Sequence, residues 1–138
     1  MNCGTMADSA DFTDDFFLGG RLRLRQPWRG HRAGHDAMLL AAATEARPGQ
    51  RVADLGAGVG AAGLALARRV GGLDLVLVEI DQALAALARE NAQANAIAAH
   101  VAVLDVAVDA ATFAAAGLGP GSVDAVLMNP PFNAAARH

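Results

Sequence analysis

The run Leu73-Asp74-Leu75-Val76-Leu77-Val78-Glu79-Ile80 constrains the fold more than any other stretch of the chain. It is apolar at nearly every position rather than at every second one, so a strand here has both faces covered. Such strands belong to parallel sheets flanked by helices. The neighbouring segments agree. Residues 51–55 read as a strand and residues 60–70 as a helix closed by Gly71-Gly72. Asp81 caps a helix from Gln82 to about Asn95, and residues 101–104 form a strand. Residues 109–116 form a short helix broken by Gly117, Gly119, Pro120 and Gly121, and residues 123–128 form the last strand. This alternation predicts an α/β fold, a parallel sheet joined by right-handed crossovers.

Upstream the period changes. Phe16-Phe17-Leu18, Gly19-Gly20 and Arg21-Leu22-Arg23-Leu24-Arg25 read as a β-hairpin turning on Gly-Gly, with the leucines on one face and the arginines on the other. Residues 26–35 read as a loop, and Asp36 as the cap of a helix running to about Ala46, before Pro48-Gly49. Met38 and Met128 are core candidates, while Asn91 and Asn95 share a helix face expected to meet solvent. At 138 residues the chain is one domain. We expect a disordered N-terminus over 1–13 and a single α/β domain over 14–138. Only four parallel strands precede the end of the chain, soon after Phe132, so the last strands of the sheet are expected to be missing.

Net charge is -3, which gives no global basic field to recruit nucleic acid. Cys3 is the only cysteine, leaving neither a disulfide framework nor a cysteine-based metal site. His31 and His35 lack a third ligand at suitable spacing, so no metal is expected. No apolar run has membrane-spanning length. Asp8, Asp11, Asp14 and Asp15 carry the wrong charge for a targeting peptide. The expectation is a reduced, cytoplasmic protein.

Val52-Ala53-Asp54-Leu55-Gly56-Ala57-Gly58-Val59-Gly60 joins the first parallel strand to its helix. Gly56 and Gly58 permit a tight turn and let a ligand lie against bare backbone near a helix N-terminus. Glu79 ends the second strand, where a carboxylate can accept both hydroxyls of a ribose. Asp105 ends the third and is positioned for an adenine amino group. Gly56 through Ala61 also satisfies the loose dinucleotide pattern, with Ala61 in the third-glycine slot. Asp54 opposes that reading. Its carboxylate would repel a pyrophosphate but attract the ammonium of a methionine moiety, which points to S-adenosylmethionine.

Asn129-Pro130-Pro131-Phe132 follows the last strand. The prolines fix φ and remove two donors, so the carbonyls of Asn129 and Pro130 stay unpaired. The Asn129 side chain adds an acceptor. Acceptors beside the flat ring of Phe132 suit a planar substrate bearing an NH2 group. Together with the glycine loop, Asp54 and Glu79, this motif makes the chain resemble the class I S-adenosylmethionine-dependent methyltransferases, whose fold is Rossmann-like, of the amino-methylating kind. It is more narrowly similar to the bacterial tRNA (adenine-N6) methyltransferase family acting in the anticodon loop of a valine tRNA. That likeness rests on Gln26-Pro27 and on Gly30-His31-Arg32-Ala33-Gly34-His35-Asp36-Ala37-Met38-Leu39-Leu40-Ala41. His31 stands where that family has Tyr, and His35 where it has a small hydroxyl residue.

The resemblance implies methyl transfer from sulfonium to an exocyclic amine by in-line displacement. Asn129 and the Pro130 carbonyl would hydrogen-bond the amine, and Phe132 would stack on a flipped-out base. Apart from the resemblance, Arg32 either extends the arginine patch together with Arg29 or holds the cofactor carboxylate. Related motifs serve guanine N2 in ribosomal RNA and a glutamine amide in a translation factor. An NAD-type oxidoreductase domain and a non-catalytic binding module are the competing readings. Arg21, Arg23 and Arg25 are expected to be a solvated strand face rather than an RNA track, because three charges give a modest phosphate footprint. Trp28 is placed in a loop, to stack on a base or to cover the cofactor or core.

Overall fold

The computed structural model describes residues 11–30 and 33–129. His31, Arg32 and Pro130 through Phe132 lie outside the described residues. Strands β1 (Phe12–Phe17) and β2 (Leu22–Pro27) form an antiparallel hairpin. Helix α1 (His35–Ala43) follows, and then the alternating core: β3 (Arg51–Leu55), α2 (Ala61–Val70), β4 (Asp74–Glu79), α3 (Gln82–Ala94), β5 (Ala99–Val103), α4 (Ala110–Ala115) and β6 (Ala125–Met128).

The four later strands make one parallel sheet in the order β5-β4-β3-β6. The chain enters at β3, steps outward through β4 to β5, and then crosses back to place β6 on the other side of β3. The strand order therefore reverses between β3 and β6, and open α/β folds bind ligands at the carboxyl edge of such a reversal. The run centred on β4 is buried from Leu75 to Glu79, as its unbroken apolar character requires.

Strand alternation sorts the two faces of the sheet. Asp54 reaches α2, where it meets Gly63. Ala53 and Leu55 point the other way and line an apolar groove with Phe113, Leu118 and Val126. Met128 shares that second face and is half exposed, not core.

The hairpin alternates as expected, with Leu22 and Leu24 fully buried and Arg21, Arg23 and Arg25 exposed. Its turn is longer than two residues. Phe17 pairs with Leu22, and Leu18, Gly19 and Gly20 all take positive φ. Leu18 accepts that strained conformation while packing its side chain against the core. β1 also starts at Phe12, inside the stretch expected to be disordered, and β2 runs to Pro27, into the expected loop.

Asn91 and Asn95 overturn the solvent-facing expectation, since both are buried. The Asn95 amide accepts from the Arg23 N–H at 3.0 Å and donates to the Arg23 carbonyl at 2.7 Å. Asn91 does the same for Arg25, at 2.7 and 3.1 Å, and also donates to the Val59 carbonyl at 3.0 Å. Two asparagines four residues apart, Asn91 in the last turn of α3 and Asn95 at its C-cap, thus take the place of a neighbouring strand along the free edge of β2, which would otherwise present unpaired backbone groups. Amide side chains can do this because each carries a donor and an acceptor.

Asp36 does not cap α1. The N-cap is Gly34, without a side-chain hydrogen bond, and Asp36 sits in the first turn, where a carboxylate still complements the helix dipole. The helix stops at Ala43 because Thr44 turns extended, its hydroxyl donating back to the Leu40 carbonyl.

Candidate cofactor site

A cavity of about 330 Å³ lies at the carboxyl edge of the sheet, across the point where strand order reverses. That volume falls in the range of small-molecule sites. Asp54, the loop Gly56–Val59, Glu79 and Asn129 line it, with Ala33 and Ala37 on one side and Ile80 and Leu84 on the other. The ends of β3, β4 and β6 thus converge on one space. Asp105 is not brought there. It lies two residues beyond β5, where it accepts from the Ala107 N–H at 2.9 Å. Pro130, Phe132 and Arg32 fall outside the described residues.

The glycine loop is held by β4. The N–H groups of Gly56 and Ala57 donate to the Val78 carbonyl at 2.8 and 2.9 Å. Gly58, at φ 58°, donates to Glu79 Oε1 at 2.7 Å. Glu79 Oε2 accepts from the Asp81 N–H at 2.9 Å, while Asp81 itself caps α3. Glu79 is therefore an aimed carboxylate, fixed at both oxygens and able to accept further donors from the cavity.

Asp54 is 2% exposed, and its Oδ2 accepts from the Gly63 N–H at 3.0 Å. Gly63 stands in the first turn of α2, so Asp54 caps that helix from the adjacent strand. A Cβ at position 63 would come within 2.7 Å of Leu77 Cδ2 and 3.0 Å of Asp54 Oδ2. Close helix–strand packing, sought at Ala61 in the dinucleotide pattern, is achieved at Gly63 instead. Burial pushes the Asp54 carboxyl up to about 7; the Gly63 hydrogen bond opposes the rise and the Glu79 carboxylate adds to it.

Among the described residues the charged groups lining the cavity are Asp54 and Glu79. The N–H groups of Gly58 and Gly63, which a pyrophosphate would seek, already bind these carboxylates. The site is rich in acceptors and suits a ligand that brings positive charge and hydroxyl donors. Among the described residues no group of three or more His, Cys, Asp or Glu could hold a metal ion, and no helix is long and apolar enough to cross a membrane.

Gln26, Gly63, Ile80 and Leu84 were not singled out from sequence as site residues. Gln26 is buried and pins the chain beside the cavity: its Oε1 accepts from the Ala33 N–H at 2.7 Å, and its Nε2 donates to Asp15 at 2.9 Å. Ile80 is exposed on the cavity wall, an apolar shelf that a strand pattern alone reads as core.

An open parallel sheet whose strand-order reversal carries a glycine loop and two inward carboxylates defines a nucleoside-cofactor domain. Its family follows from comparison. The model of the Methyltransferase small domain matches residues 32–138, and the chain belongs to that family. No curated protein matches the chain. Among solved structures it is similar to an Agrobacterium tumefaciens protein described as a predicted O-methyltransferase, with 38% identity, a TM-score of 0.63, and coverage of 70% of this chain and 49% of that one. It is also similar to the Thermus thermophilus 16S rRNA N2 G1207 methyltransferase in complex with AdoMet and guanosine, with 25% identity, a TM-score of 0.65, and coverage of 89% and 33%. A third likeness is to TrmN from Thermus thermophilus, with 30% identity, a TM-score of 0.55, and coverage of 73% and 29%. The chain spans about half the length of the first of these proteins and about a third of the others.

Proposed function

We propose that this domain binds S-adenosylmethionine and serves methyl transfer to an exocyclic amino group of an RNA base. The observation that carries the proposal is the convergence of Asp54, the glycine loop, Glu79 and Asn129 on one cavity whose described charged groups are carboxylates. Asp54 and Glu79 supply the negative field that a sulfonium and an ammonium require. Glu79 is fixed to accept the ribose hydroxyls. Ile80 and Leu84 offer an apolar wall for the adenine, with Asp105 further along the same edge of the sheet. Arg32 is assigned to the cofactor carboxylate. When bound, the cofactor supplies an electrophilic methyl group on sulfur.

Asn129 directly follows β6 and lines the cavity, so its side-chain carbonyl can accept from an amine presented there. The Pro130 carbonyl provides a second acceptor and Phe132 a stacking face. Two acceptors would orient the amine's lone pair, and orientation of this kind supplies much of the rate when proton chemistry is not limiting. Adenine N6 in tRNA is the acceptor favoured by the Asn129-Pro130-Pro131-Phe132 motif and by the Gln26 to Ala41 segment. Guanine N2 is a second reading, supported by the likeness to the ribosomal RNA enzyme solved with guanosine. The domain is assigned to residues 12–138, extended from the expected start at 14 because β1 begins at Phe12.

Two measurements test this. Titration calorimetry should show binding of S-adenosylmethionine and none of NAD. Incubation with radiolabelled cofactor and unmodified tRNA or ribosomal RNA, followed by nucleoside separation, should place label in N6-methyladenosine. Label in N2-methylguanosine would select the second reading. Binding of NAD in preference to S-adenosylmethionine would refute the proposal.

A further inference from the structure

The outer face of the hairpin is the part of the molecule that the cofactor site does not use. Phe16 is 64% exposed there. It is paired directly across from Arg23, with Asp14 opposite Arg25 one pair nearer the cleft. A single exposed aromatic is ordinary on a protein surface; what distinguishes Phe16 is its place beside exposed arginines on a hairpin that also carries the exposed Trp28. The Arg25 guanidinium is engaged by Asp14 at 3.2 Å and approaches Glu90 at 4.0 Å. Arg23 is exposed and makes no ion pair among the described residues, and Arg21 spends only its Nε on the Leu18 carbonyl. The face therefore presents an exposed aromatic side chain across from Arg23, with Arg21 exposed at the turn, on a chain whose net charge is -3. At the cleft end of the hairpin, Trp28 is 58% exposed and Arg29 is exposed beside it.

The hairpin is fixed relative to the cofactor loop. Asn91 bonds both to the Arg25 backbone and to the Val59 carbonyl, and Val59 lines the cavity. Gln26 ties the end of β2 to Ala33, which also lines it. Whatever docks on the outer face is thus held in a set register to the cavity. Phe16 lies about four strand residues from Pro27, roughly 13 Å at strand rise.

We infer that this face is a docking surface for single-stranded RNA, with Phe16 stacking on a base, Arg21 and Arg23 on flanking phosphates, and Trp28 and Arg29 leading the strand toward the cavity. The arginine stripe alone is expected to be only a solvated face, and the exposed aromatics beside it supply the stacking that the stripe lacks. Base stacking on exposed aromatics and guanidinium contacts to phosphate form the two-part chemistry of single-strand binding. The inference deepens the RNA reading of the proposed function, because it names the surface that would hold the substrate.

The test measures binding of a fluorescein-labelled single-stranded RNA of about 12 nucleotides, and of bulk tRNA, by anisotropy over a range of salt. Phe16→Ala should weaken binding about 5- to 100-fold, the loss expected for one stacked base. Arg23→Gln should reduce the slope of log affinity against log salt by about 0.7. Both side chains are exposed, so both variants should fold and should bind S-adenosylmethionine as the parent does. Unchanged RNA affinity and salt slope in both variants would overturn the inference, as would an RNA affinity too weak to measure in the parent chain. A protein partner whose capture depends on Phe16 while RNA affinity does not would overturn it too. Loss of RNA affinity in Phe16→Ala from a parent that fails to bind S-adenosylmethionine would uphold the surface and refute the methyltransferase reading instead.

Discussion

Asp54→Asn should stabilise the cofactor-free protein in a way that depends on pH. The carboxyl is raised from 3.8 to about 7 by burial first, with the Glu79 carboxylate adding to the effect. The sign follows from linkage: the folded state holds a proton that the unfolded chain releases between pH 4 and 7, so this group's contribution to stability falls as pH rises through that window and levels off above it. A rise of that size corresponds to about 4 kcal/mol lost by pH 8 and about 2 kcal/mol lost by pH 5. Asparagine is neutral at every pH, nearly isosteric, and can still accept from the Gly63 N–H. The variant should therefore be more stable than the parent by up to about 4 kcal/mol at pH 8, with an advantage about 2 kcal/mol smaller at pH 5. The difference between the two pH values is the sharper quantity, because any altered contact with Gly63 is common to both. Urea unfolding at pH 5 and pH 8, at fixed ionic strength and without cofactor, gives the numbers. A stability gain identical at both pH values would refute the reasoning, because Asp54 would then not be the buried group that titrates. A variant less stable than the parent at pH 8 would refute it as well.

The same titration predicts that S-adenosylmethionine affinity, measured by calorimetry, falls about 100-fold between pH 8 and pH 5, since a cation requires Asp54 ionised; a flat profile would separate Asp54 from the cofactor. Glu79→Ala should weaken cofactor binding by about 1.5–3 kcal/mol, and unchanged affinity in a folded variant would remove the ribose assignment. In Gly63→Ala the new methyl group would press on Leu77 and Asp54; overpacking of about 1–3 kcal/mol exceeds the gain of up to about 1 kcal/mol in helix propensity, so thermal unfolding should show a net loss of stability. Asn129→Ala should slow methyl transfer in the radiolabel assay while leaving cofactor affinity nearly intact; wild-type turnover would exclude Asn129 from holding the acceptor.

The sheet was legible because β4 is apolar without interruption and because helix-breaking glycines and the Asp81 cap mark its borders. The converging ends of β3, β4 and β6 were legible for a related reason: polar residues at the carboxyl ends of buried strands have few other roles. Asn91 and Asn95 were not legible. Their spacing fixes a helix face, but nothing local says that the face meets the edge of a strand more than sixty residues earlier in the chain, at Arg23 and Arg25. Gly63 was hidden similarly, since a lone glycine in an alanine-rich helix reads as a weak spot until the carboxylate beneath it is seen. Met128 was misplaced because alternation assigns a residue to a face of the sheet without saying whether a helix covers that face there.

The choice between the two cofactors compatible with a glycine loop turns on where the backbone donors go. A helix N-terminus beside a glycine turn normally offers free N–H groups and a positive dipole end to a phosphate. Here the Gly63 N–H is given to Asp54 and the Gly58 N–H to Glu79, so the protein answers its own helix dipole with its own carboxylates. A pyrophosphate entering the cavity would meet two acids and find those donors taken. A sulfonium bearing an amino acid and a ribose would meet the opposite situation, because its positive charge relieves the repulsion that helps hold Asp54 near 7, and its hydroxyls can donate to Glu79 oxygens that retain lone pairs. The two hydrogen bonds that take up the Gly58 N–H of the glycine loop and the Gly63 N–H in the first turn of α2 therefore also select the charge of the ligand, and a substitution that freed the Gly63 N–H would weaken that selection even if it left the loop geometry intact.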